Sequence, residues 1–313
     1  MSSKEQFQIV GDGLLVRAPA KINISLLIAG KRPDGFHEIE TVMSKVNLYD
    51  EVFIEPGQKP GIEIDCKGPY WAPEGNENLV YKACELFMAS CGLCGDIKIT
   101  LTKNIPAGAG LGSASSDAAA TLLGLNRFMS ISCEDPYEKG PVRLVVKDGQ
   151  LRKLAPELGS DVAFFLNGPL ALCSGRGEKT RKLDENFDFL ALLIFPSVTV
   201  STKKVYANHK ADWHLYEKLS TQINSLIKKN RIDLVWKMCA NMLEKSCFSL
   251  YKELAELKAE VESLGVGSVC LSGSGSTMFS IYLNKDIELA QQNKHKLEEK
   301  VGCKSVIVSN NRW

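Results

Sequence analysis

The residues best suited to chemistry lie in one glycine-rich run: Pro106, Ala107, Gly108, Ala109, Gly110, Leu111, Gly112, Ser113, Ala114, Ser115 and Ser116. Glycines remove the side chains that would hold an anion away from the backbone. They also tolerate positive φ, so successive N–H groups can converge on one phosphate. An alternating stretch precedes the run and an Ala- and Leu-rich stretch follows it, so a strand leads in and a helix leads out. The helix would add free N–H donors and the positive end of its dipole. Ser113, Ser115 and Ser116 offer hydroxyls to phosphate oxygens or to a hydrated Mg2+. Two commoner phosphate loops are excluded. A Walker A loop ends in Gly-Lys-Ser/Thr and no lysine stands here, while a G-x-G-x-x-G fingerprint needs its third glycine one residue later than Gly112. The bland alternative is a glycine turn that lets a helix pack closely on a sheet. The favoured reading is an ATP-binding loop.

A second candidate group lies on the strand predicted over Leu14–Ala29. Ile22, Ile24 and Leu26 share one face, and Lys21, Asn23 and Ser25 share the other. A strand lysine is ordinarily solvated. Here Pro19, Ala20, Ile22 and Ile24 predict a largely buried strand, where an unpaired ammonium would be costly. Asp161, before Val-Ala-Phe-Phe, could simply cap a helix.

The elements that must position these groups follow from periodicity. Arg32-Pro-Asp-Gly-Phe36 is a turn. Strands are expected around Glu51–Glu55, Gly61–Cys66 and Ile97–Thr102, and helices over Leu79–Ser90 and Ser116–Phe128. Cys133–Gln150 is charged and reads as a surface insertion. An apolar strand near Leu190–Phe195 opens a second unit, with helices carrying Leu215, Leu219, Ile223 and Leu226, then Leu254, Leu257, Val261 and Leu264. Ser268–Leu283 reads as strand, glycine turn, strand, followed by a charged helix and a last strand over Lys304–Ser309. Without a regular βαβ repeat the class is α+β, divided at 1–187 and 188–313.

At 313 residues, 44% hydrophobic and 24% charged, the chain suits two globular units. Lys+Arg number 38 against Asp+Glu 37, so the basic excess of a nucleic-acid binder is missing. No apolar run approaches the roughly 20 residues that span a bilayer, and the first residues resemble neither a signal nor a transit peptide. A cytoplasmic protein without nucleic-acid or membrane partners is expected. The ten cysteines are scattered and read as reduced thiols serving as small core residues. Cys91-Gly-Leu-Cys94 follows a helix rather than opening one, which argues against a redox pair, and no second ligand pair suggests zinc. His37, His209, His214 and His295 have no metal-ligand spacing. No metal-ligating side chain is assigned.

The run Pro106–Ser116 resembles the phosphate loop of the GHMP small-molecule kinases, Pro-x-x-x-Gly-Leu-Gly-Ser-Ser. Ala18-Pro-Ala-Lys-Ile-Asn23 and Leu271-Ser-Gly-Ser-Gly-Ser276 are similar to the first and third motifs of that family, in the same order. Arg32-Pro-Asp-Gly-Phe-His37, Leu158-Gly-Ser-Asp-Val162 and Gly175-Arg-Gly-Glu178 resemble the family branch that phosphorylates a cytidine-diphosphate alcohol in isoprenoid precursor synthesis. The resemblance implies an N-terminal ribosomal-protein-S5-like domain and a C-terminal ferredoxin-like domain with the active site between them. It implies ATP and Mg2+ as cofactors and a small cytidine diphosphate as acceptor. Asp161 would face the reacting hydroxyl, Lys21 would be its partner, and Asn23 would contact substrate or that pair. Phe36 and Tyr206 would stack on cytosine and His37 would bond its edge. Asn78, Leu79 and Lys103 would line the adenine pocket, and Gly273 and Gly275 would approach the acceptor's diphosphate, unless Ser272–Ser276 is only a tight hairpin.

Ala163 stands where the family usually has proline, Ala114 breaks the double serine, and the 133–150 stretch is long for the family. Rival readings are a mevalonate or homoserine kinase of the same family, and a catalytically silent nucleotide sensor. A monomer or weak homodimer is expected.

Overall fold

The computed structural model describes residues 5–93, 95–132, 146–184 and 188–313. Cys94, most of the 133–150 stretch and the residues beside the expected boundary at 187 lie outside the described residues.

A seven-stranded sheet is built from β1 (Phe7–Val10), β2 (Gly13–Lys31), β3 (His37–Pro56), β4 (Ile62–Lys67), β5 (Ile97–Thr102), β6 (Leu170–Gly175) and β7 (Lys179–Lys182). Its order is β1-β2-β3-β5-β4, with β6 and β7 added beside the first half of β3. β4 and β5 pair in parallel. The helices of this part are α1 (Leu79–Cys91), α2 (Ser113–Ser132), α3 (Asp148–Leu158) and α4 (Val162–Phe165). The second part contains β8 (Phe189–Phe195), α5 (Thr202–Ala207), α6 (Trp213–Lys228), α7 (Ile232–Val235), α8 (Glu244–Leu250) and α9 (Lys252–Ser263). It ends with β9 (Cys270–Leu271), β10 (Met278–Leu283), α10 (Ile287–Lys300) and β11 (Lys304–Ser309). Its antiparallel sheet runs β11-β8-β10-β9. The α+β class is as expected.

The β2–β3 hairpin is the backbone of the site. Its turn closes with Arg32 N–H donating to the Phe36 carbonyl at 2.8 Å. Register shifts in β2 at Pro19/Ala20 and Asn23/Ser25 change which core the strand serves. Leu14, Val16 and Ala18 pack with Val52, Ile99 and residues of α1 and α2. Ala20, Ile22 and Ile24 pack with Leu192 and Phe279 of the second sheet. The two parts are further stitched by Asn311 N–H donating to the Lys45 carbonyl at 2.9 Å. The face bearing Lys21, Asn23 and Ser25 is therefore polar but not solvated, and all three are buried.

Three expectations are corrected. The strand expected from Glu51 begins at His37, because residues 41–46 are buried on both faces and show no alternation. Helix α2 starts at Ser113 rather than Ser116, directly after Gly112. Cys239 and Cys270 are joined as a disulfide, with Cα atoms 5.4 Å apart, where reduced thiols were expected. Their 31-residue separation hides a proximity that only the packing of the Trp236–Met238 turn on β9 creates. Cys84, Cys173 and Cys247 are buried free thiols, as expected. Among the described residues no helix is long and apolar enough to cross a membrane.

Candidate active site

The glycine loop joins β5 to α2. Gly110 has φ +78°, and a Cβ there would lie 2.2 Å from the Ser272 carbonyl oxygen. At Gly112, φ is +69° and a Cβ would press at 3.0 Å on the Lys21 stem and the Phe165 ring. Glycine is thus required by close approach as well as by dihedral. The loop's carbonyls turn into the protein. Ala109 accepts from Thr277 N–H (3.1 Å), Gly110 from Ser272 Oγ (2.9 Å) and Leu111 from Lys21 N–H (2.9 Å). The acceptors that would repel a phosphate are occupied, and Ala107 and Gly108 form the exposed tip.

Behind the loop, Lys21 Nζ lies 3.8 Å from Asp161 Oδ2. It donates to Asn23 Oδ1 at 2.5 Å, Asn23 Nδ2 donates to Thr41 Oγ1 at 2.8 Å, and Thr41 donates to the Ser25 carbonyl. Burial pushes the Lys21 ammonium below its usual range, and the Asp161 charge opposes that only in part. Asp161 precedes α4, yet its side chain makes no capping bond. The carboxylate is 30% exposed, open to solvent on one side and to Lys21 on the other.

On the far side of this pair stand aromatic rings. The His37 and Tyr206 centroids are 5.2 Å apart, and His209 approaches His37 edge-on at 6.2 Å. Burial, reinforced by the Asp161 charge, pushes the Tyr206 phenol up. Phe36 is half exposed, with the Arg176 guanidinium 4.9 Å from its ring centroid. The turn 272–276 completes the enclosure. A Cβ on Gly273 would lie 3.3 Å from Asn23 Oδ1, and Thr202 Oγ1 meets Ser274 Oγ at 2.8 Å, tying α5 and so Tyr206 to the turn. Asn241 Nδ2 donates to the Leu271 and Gly273 carbonyls, both at 2.8 Å.

Lys21, Asn23, Asp161, Gly112 and Gly273 therefore meet at one place, with His37 and Tyr206 beside them. Asn78 is occupied otherwise: it caps α1 by accepting from Val80 N–H (2.9 Å) and donates to the Pro73 carbonyl (2.8 Å). Leu79, the first residue of α1, is half buried. Lys103 is engaged in the interior. Its ammonium is buried against Asp50, Asp117 and Ser113, because a buried cation needs counter-charges. Ser113 likewise spends its hydroxyl on Asp50. Sequence reasoning missed Asp50, Thr41, Asp117 and Asn241, none of which lies in a glycine motif. Arg176 lay in a quoted stretch without a role.

Residues 78–169 match the model of the GHMP kinases N terminal domain, and residues 223–300 that of the GHMP kinases C terminal domain. A 4-diphosphocytidyl-2-C-methyl-D-erythritol kinase of Clostridium botulinum (strain Eklund 17B / Type B) is 36% identical over 91% of this chain and 96% of its own length. The chain belongs to the GHMP kinases, in the 4-diphosphocytidyl-2-C-methyl-D-erythritol kinase family. A kinase of the same name from Geobacillus sp. (strain WCH70) is 35% identical over 86% of this chain and 88% of its own length. Among solved structures, a 4-(cytidine 5'-diphospho)-2C-methyl-D-erythritol kinase superposes with TM-score 0.71 at 29% identity, covering 96% of this chain and 100% of that one. The homoserine kinase of Cytophaga hutchinsonii reaches TM-score 0.73 at 21% identity over 99% and 98% of the chains, which shows a shared fold. The expected two-part GHMP kinase fold is borne out.

Proposed function

We propose that this kinase transfers the terminal phosphoryl group of ATP to the 2-hydroxyl of 4-diphosphocytidyl-2-C-methyl-D-erythritol, giving the 2-phosphate and ADP, in isoprenoid precursor synthesis. The observation that carries the reading is the Lys21–Asp161 pair, set between a glycine loop and the His37–Tyr206 rings. Phosphoryl transfer needs positioning, charge stabilisation and one group to receive the nucleophile's proton. Asp161, open on one side, accepts the proton of the 2-hydroxyl. Lys21 pairs with that carboxylate at 3.8 Å and offsets charge developing on the transferring group. Asn23 fixes the ammonium's direction through its bond to Thr41. Phe36 and Tyr206 sandwich the cytosine, and His37 bonds its edge. Backbone N–H groups of the loop hold the triphosphate, while the turn at Gly273 and Gly275 approaches the acceptor's diphosphate.

Mg2+ fits this arrangement as a phosphate-borne ion. Among the described residues no cluster of three or more His, Cys, Asp or Glu could hold a metal, whereas Ser116 Oγ is buried beneath the loop without a hydrogen-bond partner. Ser116 would hold the ion together with the phosphates, and Mg2+ would supply neutralisation of the triphosphate charge. On the same reading the enzyme works in the cytoplasm on small molecules alone, as a monomer or weak homodimer. The test is a coupled ADP-release assay with the cytidine acceptor and with its cytosine-free analogue. Equal turnover of the two would remove the role given to Phe36, His37 and Tyr206.

A further inference from the structure

A buried ionic cluster sits directly beneath the glycine loop and holds both of its ends. Asp50, on β3, is fully buried. Its Oδ1 accepts the backbone N–H groups of Asn104 (2.5 Å) and Ile105 (2.8 Å), the residues that lead from β5 into the loop. Its Oδ2 accepts the Ser113 hydroxyl (2.8 Å), at the first residue of α2, and the Lys103 ammonium. Lys103 also donates to Ser113 Oγ and to Asp117 Oδ2, the latter at 2.6 Å. One carboxylate therefore grips the chain where the loop begins and again where it ends.

We propose that Asp50, with Lys103, is a clasp that holds the 106–112 loop in the conformation that receives the triphosphate; both are positioning residues that touch no substrate. The inference rests on the reading that this loop binds ATP. A loop with glycine at 108, 110 and 112 has more backbone freedom to lose than an ordinary one. Unless that freedom is removed beforehand, ordering the loop subtracts from ATP affinity. Asp50 removes it by fixing the mouth of the loop from the interior, on the side away from solvent.

The charges of the cluster fit the role. Two carboxylates face one ammonium in a buried setting, so one carboxyl is favoured as the neutral acid. The two carboxylates differ in setting: Asp117 Oδ1 is buried without a partner, and burial and the Asp50 charge push that carboxyl well above its ordinary range. Asp117 joins the cluster through one acceptor oxygen, whereas Asp50 uses both of its oxygens.

The experiment measures ATP and acceptor dissociation constants, together with kcat and both KM values, on the full chain and its variants. Asp50→Asn should weaken ATP at least about thirtyfold, the loss expected on breaking a buried charge pair. Acceptor affinity should stay within about twofold and kcat at saturating ATP should change little, because only ATP capture uses the clasp. Asp117→Asn should keep ATP affinity within about threefold, since it keeps the shape and the one acceptor oxygen that Lys103 uses. A double cycle of Asp50→Asn with Ser113→Ala should be strongly non-additive. Should Asp50→Asn fail to fold, Asp50→Glu keeps the charge and displaces both oxygens by one methylene, and it should weaken ATP while sparing the acceptor. The clasp is overturned if either Asp50 variant binds ATP like the wild type, if acceptor affinity falls in parallel, or if Asp117→Asn is as damaging as Asp50→Asn. A wild-type chain that binds acceptor but no ATP would instead overturn the reading of the loop.

Discussion

Ser272 Oγ donates to the Gly110 carbonyl at 2.9 Å across 162 positions of sequence. This bond seats the late glycine turn on the 106–112 glycine loop, so a site that begins in one part of the fold is closed by the other. The contact leaves no room for a side chain. Gly110→Ala would set a Cβ 2.2 Å from the Ser272 carbonyl oxygen at φ +78°, so one turn must give way. Strain of about 1–3 kcal/mol is expected, read as a lowered Tm. An ATP affinity at least about tenfold weaker should accompany it.

Asp161 makes no capping bond, so its removal should cost rate rather than structure. For Asp161→Asn, kcat should fall by about 10²–10⁴, the range of a lost general base. ATP affinity should stay within about twofold, since the loop is untouched. Equilibrium nucleotide binding beside single-turnover rates checks both.

Lys21 supplies a pH signature. Its ammonium is pushed below the ordinary lysine value of 10.5 by burial, so the proton is lost earlier on the alkaline side than from an exposed lysine. The rate should therefore fall with rising pH before 10.5 is reached, and Lys21→Met should lose both that limb and most of the activity. Because the cost of burying the ammonium is present below its folded-state pKa and absent when no cation is there, Lys21→Met should melt no lower than the wild type. A large drop in Tm would make Lys21 a structural residue.

The acceptor side should respond to acid. Burial lowers His37, with Lys31 adding to the effect, and it lowers His209, with His37 adding. Both rings are then neutral at pH 7, and acceptor KM should stay flat until the pH falls below 6.5, the ordinary imidazole value. His37→Ala should raise acceptor KM by roughly tenfold, leave ATP KM unchanged and remove part of the acid dependence.

What could be read from the sequence was local. Alternation put Lys21 and Asn23 on one face, and three glycines with a strand before them marked the loop between β5 and α2. The Arg32–Phe36 turn was equally plain. Burial on both faces erased the signal over 41–46, where a strand between two cores has no polar side. Contacts set by distant pairing were invisible. Asp50 sits in an unbroken strand and acquires meaning only when β5 brings Lys103 and Asn104 to it. Lys103 was carried to the adenine pocket by resemblance, while its charge is held by two carboxylates on other elements. The Cys239–Cys270 bond was hidden for the same reason.

The central claim is the acceptor, and one measurement tests it most directly: ADP release from ATP with 4-diphosphocytidyl-2-C-methyl-D-erythritol, mevalonate and homoserine offered separately. The geometry of Lys21, Asp161, His37 and Tyr206 predicts turnover with the cytidine compound alone, with phosphate appearing on its 2-hydroxyl. Turnover with mevalonate or homoserine and none with the cytidine compound would contradict it.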